Sequence, residues 1–178
     1  MTPPKQPTPG RRIGQGMLIA SFTLGLVALT FFFDDRLENQ SNPNRRPQYS
    51  ETSSGIREVI LQRNRQGHYV SSGQINKVPV TFLLDTGATD VAIPTDIARK
   101  AGLHRGLATR AATAGGVVTV YATQVDELVL GNITLHNIDG SIMPSMGGDI
   151  ILLGMSALKQ VEFTQRGSTL TLRQFPKY

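Results

Sequence analysis

Not one cysteine occurs in the 178 residues, so a disulfide framework, a thiolate metal site and a cysteine nucleophile are all excluded. Positive charge is also scarce where it would matter. The net charge of +5 includes Lys5, Arg11 and Arg12 ahead of the first apolar run; beyond Phe33 the chain carries 15 basic and 13 acidic residues, leaving only +2. A surface that tracks a phosphate backbone concentrates Lys and Arg in the folded part. Nucleic acid is therefore not an expected partner. His68, His104 and His136 lie 36 and 32 residues apart, without the short ligand spacing of a metal site. Gly115-Gly116 is not followed by the Lys-[Ser/Thr] of a phosphate-cradling loop. Neither metal, nucleotide nor other cofactor is expected.

Long apolar runs are absent except for one. Ile13 to Phe33 is 21 residues without a charge, and at about 1.5 Å per residue it covers the roughly 30 Å of a bilayer core. A cleaved secretory signal would have a shorter apolar stretch and a small-x-small exit, whereas Thr30-Phe31-Phe32-Phe33-Asp34 offers none. The reading is one uncleaved membrane helix. Lys5, Arg11 and Arg12 precede it and Asp34 and Asp35 follow, which leaves the basic side in the cytoplasm and the bulk of the chain outside it. Gly16 and Ala20, and Ser21 and Gly25, are each four apart, a spacing that lets helices approach closely in lipid. Residues 1–12, with four prolines, read as a disordered cytoplasmic tail. Residues 34–57 are polar and rich in Asn, Ser, Arg and Pro. They read as a flexible linker, which as a coil would hold the next domain on the order of 25 to 30 Å from the membrane.

From Glu58 the pattern changes to short β-type runs between turn residues, which points to an all-β barrel or sandwich over 58–178. Strands are expected at Glu58–Arg63, His68–Ile75, Val78–Asp85, Val91–Ile93, Thr109–Thr113, Val117–Leu130, Ile133–Met143, Ile150–Leu153, Val161–Gln165 and Thr169–Arg173. Asn76-Lys77, Gly131-Asn132 and Arg166-Gly167 are expected hairpin turns. One short helix fits Asp96–Ala101, capped by Thr95 and ended by Gly102, and a second fits Met155–Lys159.

The most informative stretch is Phe82-Leu83-Leu84-Asp85-Thr86-Gly87-Ala88, an apolar strand running straight into an acid, a hydroxyl and a glycine. Carboxylates rarely sit at the end of a buried strand without a reason. Burial there can hold the acid near a protonation switch, with Thr86 bracing the loop and Gly87 letting backbone amides approach. An ordinary turn explains the same residues. By average residue usage, such a triplet arises in roughly one chain of this length in ten or twenty, so alone it decides nothing. Its context adds weight: a glycine turn at Ala114-Gly115-Gly116, then a second apolar strand, Ile151-Leu152-Leu153-Gly154, followed by the short helix.

Together these residues resemble the retropepsin-like aspartic proteases, over about residues 58–175, and with the single helix they look most like the bacterial membrane-anchored members. The resemblance implies a single-lobed, closed β-barrel with one or two short helices, with Asp85 as the catalytic acid. Thr86, Gly87 and Ala88 then form its loop, Ala114, Gly115 and Gly116 the flap, and Ile151, Leu152, Leu153 and Gly154 the second strand motif. Asp90 stands where many relatives carry a small hydroxyl residue. Hydrolysis by this route needs two carboxyls, one to activate water and one, protonated, to polarise the carbonyl. One triad per chain therefore implies a homodimer pairing two copies of Asp85. The implied location is the bacterial inner membrane with the catalytic domain on the periplasmic side, and the implied substrate is an extended peptide or protein. The rival from another class is a non-catalytic module that binds peptide or pairs proteins on the same fold. Val91, Ile93, Val117, Val118 and Ile142 read as core before pocket wall. Asp149 reads as an exposed turn, and Asn132-Ile133-Thr134 as a hairpin rather than a glycosylation acceptor.

Overall fold

The computed structural model describes residues 9–113 and 115–176. It divides into two compact units, one ending at Glu38 and the other beginning at Asn39.

The first unit is a helix. Helix α1 runs from Pro9 to Ser41, opening on a proline whose missing N–H would have had no partner in a first turn. Within it Ile13–Phe33 is long and apolar enough to cross a membrane, and none of it is buried in the chain. The Thr30 hydroxyl donates to the Leu26 carbonyl four residues back at 2.9 Å, so this polar group is satisfied inside the apolar run. Residues 9–12, expected as part of a disordered tail, are helical; residues 1–8 lie outside the described part.

The second unit is mostly strand. In chain order it contains β1 (Gln48–Glu51), β2 (Arg57–Gln62), β3 (Val70–Ile75), β4 (Val78–Leu84), β5 (Val91–Pro94), α2 (Thr95–Lys100), β6 (Ala108–Thr113), β7 (Gly116–Leu130), β8 (Ile133–Met143), β9 (Ile150–Leu153), α3 (Met155–Leu158), β10 (Glu162–Arg166) and β11 (Thr169–Gln174). Two sheets result. One is antiparallel in the order β1-β2-β11-β10. The other runs β3-β4-β9-β5-β8-β7-β6, and because β7 also pairs with β3 it closes into a barrel-like ring. The fold is all-β with short helices, as expected from the alternation. Phe82, Ile93, Val125, Ile138, Ile142 and Ile151 are among the inward residues at 1% exposure or less. Between β3 and β4, Asn76 and Lys77 both take positive φ (45° and 68°), the conformation that a two-residue hairpin between right-twisted strands requires.

Residues 34–57 do not form the expected linker. The helix continues to Ser41, and the chain then docks on the second unit through Asn44, which is 3% exposed. Its side-chain amide donates to the carbonyls of Gln62 (2.9 Å) and Val70 (2.7 Å) and its oxygen accepts from the Gln62 amide (2.7 Å). Strand β1 then pairs with β2 from Gln48 opposite Ile60 to Glu51 opposite Arg57. Hydrogen bonds rather than apolar contacts hold this segment, and a hydropathy pattern does not register them. Thr95 does not cap α2: Pro94 occupies the cap position and no side-chain cap bond forms. Val117 is not core but 69% exposed on the β6–β7 hairpin, whereas Val91, Ile93 and Ile142 are core.

Candidate active site

The strand Val78–Leu84 carries its apolar residues into the ring and delivers Asp85 at its carboxyl end. Its parallel neighbour is β9, with Leu83 opposite Leu152 and Leu84 opposite Leu153. The pairing extends one step further, because the Asp85 amide donates to the Leu153 carbonyl at 3.1 Å. Beyond it the chain turns sharply. The Gly87 amide donates to Asp85 Oδ1 at 2.9 Å and the Ala88 amide to the Asp85 carbonyl at 3.2 Å. A Cβ on Gly87 would stand 3.2 Å from that same carboxylate oxygen, so the glycine leaves the amide room to approach it. Asp85 is half-buried; its second carboxylate oxygen has no hydrogen bond among the described residues.

The loop is fastened from below by the second motif. A Cβ on Gly154 would lie 2.2 Å from the Asp90 carbonyl oxygen and 2.7 Å from that of Ala88, so only glycine permits the contact. The next two amides then donate upward, Met155 to the Ala88 carbonyl at 2.8 Å and Ser156 to the Thr89 carbonyl at 2.9 Å. Ser156, 5% exposed, finishes the clamp: its hydroxyl donates to the Asp139 carbonyl (2.6 Å) and accepts from the Val91 amide (3.1 Å). Ile151, Leu152, Leu153 and Gly154 thus meet Asp85, Gly87 and Ala88 in one place. Sequence reading missed Ser156; a serine at the second position of a short helix carries no signal of its own. It also missed the Ser141 hydroxyl, which donates to Asp90 Oδ2 at 3.3 Å.

Gly115 and Gly116, expected as a flap, sit at the tip of the β6–β7 hairpin, where Thr113 faces Gly116 and its hydroxyl donates to the Gly116 carbonyl at 2.7 Å. Gly116 has φ 112°, a left-handed backbone that favours glycine. Ala114 lies outside the described residues. Thr86 is exposed, and its hydroxyl has no hydrogen bond among the described residues, so it does not brace the loop within one chain.

Comparison with known proteins decides the family. The family model described as "gag-polyprotein putative aspartyl protease" matches residues 71–160, half of the chain, from the start of β3 to just past α3. The chain belongs to the retropepsin-like aspartic proteases. A solved retropepsin-like aspartic protease from Rickettsia conorii is 28% identical, with a TM-score of 0.54 over 71% of this chain and 95% of that one. An uncharacterised Sinorhizobium protein encoded in the cobV 5′ region is 30% identical over 175 residues, 91% of this chain and 75% of that protein. The uncharacterised protein RP867 of Rickettsia prowazekii is 34% identical over 112 residues, 61% of this chain and 47% of its own length.

In this retropepsin-like chain the other ionisable candidates stand away from the clamp. Asp149 is exposed in the bend before β9, and His68, His104 and His136 are exposed on separate elements. The amide of Asn132 donates to the Ser50 carbonyl at 2.8 Å and so serves the β1 contact. An open cleft of about 370 Å³ lies elsewhere, lined by Glu51, Arg57, His136, Gln160 and Phe175 among others, and none of its walls comes from the Asp85 loop or the flap.

Proposed function

We propose that this protein is a membrane-anchored aspartic endopeptidase whose active site forms when two copies bring their Asp85 carboxyls together. The observation that carries the reading is the Asp85 loop itself. One half-buried carboxylate, with one oxygen fixed by Gly87 and the other without a hydrogen bond among the described residues, stands on a loop that Gly154 and Ser156 hold rigid. Two such acids a few ångströms apart cannot both ionise, so the pair holds one proton. The ionised carboxyl takes a proton from water as the water oxygen attacks the scissile carbonyl. The protonated carboxyl gives its proton to the carbonyl oxygen. Collapse of the resulting diol breaks the C–N bond as a proton passes to the amine nitrogen. No covalent intermediate forms.

Several features support pairing. Thr86 presents a free hydroxyl beside the acid. Strand β10 is an edge of its sheet, and Phe163 on it is 41% exposed. An antiparallel pairing of two β10 strands about Thr164 sets Glu162 of each copy opposite Arg166 of the other, a charge-matched register. The span Ile13–Phe33 would confine both copies to one bilayer and raise their effective concentration. Substrate would lie extended beneath the Gly115–Gly116 hairpin and pair with its edges, on the periplasmic side of a bacterial inner membrane.

The test is Asp85→Asn in the full chain, assayed with a mixed peptide library with and without a statine inhibitor. Cleavage should fall by at least about 10²- to 10⁴-fold with fold and association unchanged. Inhibitor-sensitive cutting by the variant would move the chemistry elsewhere, and peptide binding without cutting by the natural chain would make it a binding module.

A further inference from the structure

The charge of the second unit is unevenly placed. From Asn39 to Tyr178 there are 14 Lys and Arg against 10 Asp and Glu, and between Ile97 and Val125 there are four basic residues and no acid. The remainder is therefore balanced at ten and ten, and the excess lies on a stretch that runs from within α2, where Asp96 pairs with Arg99, through the loop after it and the β6–β7 hairpin. The same stretch carries the most exposed large apolar side chain of the described unit, Leu107, at 82%.

Leu107 is not on a loose loop. The Gly106 amide donates to the Ala122 carbonyl at 2.8 Å and the Ala122 amide to the Leu107 carbonyl at 3.0 Å, so the backbone on both sides is pinned to β7. A Cβ on Gly106 would come within 2.8 Å of the Ala122 carbonyl oxygen, so glycine allows this close mounting. Arg105 is fixed as well, its guanidinium 5.0 Å from the centre of the Tyr121 ring and 3.4 Å from the Thr95 hydroxyl. Lys100 and Arg110 make no ion pair among the described residues. An apolar side chain held rigidly in water amid basic residues is a pattern suited to an anionic lipid interface.

The chain also limits how far this face can stray from a bilayer. Arg65 donates to the Gln40 side chain at 3.0 Å and Asn64 to the Ser41 carbonyl at 3.0 Å, so the second unit is held from residue 40 onward. Only residues 34–39 separate that point from the apolar run. As part of helix α1 they span about 9 Å. We propose that Leu107 and the surrounding basic residues dock on the anionic surface of the bilayer in which the helix is anchored, and this rests on the anchored reading above.

The absence of cysteine makes the test direct. Full chain carrying Leu107→Cys, labelled with an environment-sensitive fluorophore, is placed in nanodiscs of phosphatidylcholine with or without phosphatidylglycerol and with bromine on the acyl chains. In discs with phosphatidylglycerol the label should shift to the blue and lose at least about half its emission, as expected for a group some 5–10 Å into the headgroup boundary. A label at His136→Cys should do neither. Lys100→Glu with Arg110→Glu, or omission of phosphatidylglycerol, should restore emission, since each basic residue near such a surface is worth roughly a fivefold change in affinity. An unquenched label in discs that retain the chain would overturn the proposal. So would equal quenching without anionic lipid, or a blue shift without quenching, which would mean burial against protein. A chain that fails to stay with the discs would refute the anchor instead, and adding anionic vesicles to the same labelled chain would still decide the docking face.

Discussion

Removing the Asn44 side chain amide should destabilise a domain to which hydropathy alone assigns it no part. In Asn44→Leu a side chain of similar size leaves the Gln62 amide, the Gln62 carbonyl and the Val70 carbonyl without their present partners. Three hydrogen bonds at about 0.5–1.5 kcal/mol each give roughly 2–4 kcal/mol, and backbone groups left buried without partners push toward the upper end. With a urea slope of about 1–3 kcal/mol per molar, the unfolding midpoint should fall by roughly 1–2 M. The assay is urea unfolding of the full chain in detergent, followed by the near-ultraviolet signal of its tyrosines. A chain beginning at Glu58 should lose at least as much, since it forfeits β1 and the bond from the Ser72 amide to the Asn44 carbonyl as well. If both changes moved the midpoint by less than about 0.3 M, residues 42–51 would be a passive tether and the reasoning refuted.

Other consequences can be measured on the same material. Gly154→Ala puts a methyl group 2.2 Å from the Asp90 carbonyl oxygen, so the Asp85 loop must move; peptide cleavage should be lost, and retained activity would contradict the clamp. Ser156→Ala leaves the Val91 amide and the Asp139 carbonyl unpaired and should cost about 1–3 kcal/mol in unfolding free energy. Arg166→Glu sets like charges opposite each other in the β10 pairing and should weaken association by a factor between about 4 and several hundred in sedimentation, at about 0.2–1 kcal/mol for each of two symmetric pairs lost and then reversed in sign. Adding Glu162→Arg should restore it, and a double variant as weak as the single one would place the contact elsewhere.

The strands of the second unit were legible because their residues alternate between core and water, as in β8, where Ile133 and Leu135 turn inward and, past the irregularity at Asn137 (φ 53°), Ile138, Gly140 and Ile142 do so again. The Asp85 loop and the Ile151–Gly154 strand were legible for a different reason: acid, hydroxyl and glycine after two leucines gain weight only when a glycine turn and a second apolar strand ending in glycine follow downstream. What hid were positions held by polar contacts. Asn44 lies between Pro43 and Arg45 in a stretch with no apolar period, and its value comes from meeting the gap between Gln62 and Val70, which no local pattern encodes. Ser156 is silent for the same reason, since its partners Val91 and Asp139 come from two distant strands. Thr95 misled because a hydroxyl before an acidic first turn imitates a cap, while Pro94 already fixes the chain there.

Strand β9 enters the sheet between β4 and β5, two neighbours laid down some 60 residues earlier. The Val91 amide waits for a serine 65 positions downstream, and the Asp85 amide for Leu153. Such distant contacts are slow to form and come only once the intervening chain is available. During synthesis, then, the Asp85 loop cannot be seated until β9 and α3 have emerged: the acid is present early, but its seat is built last.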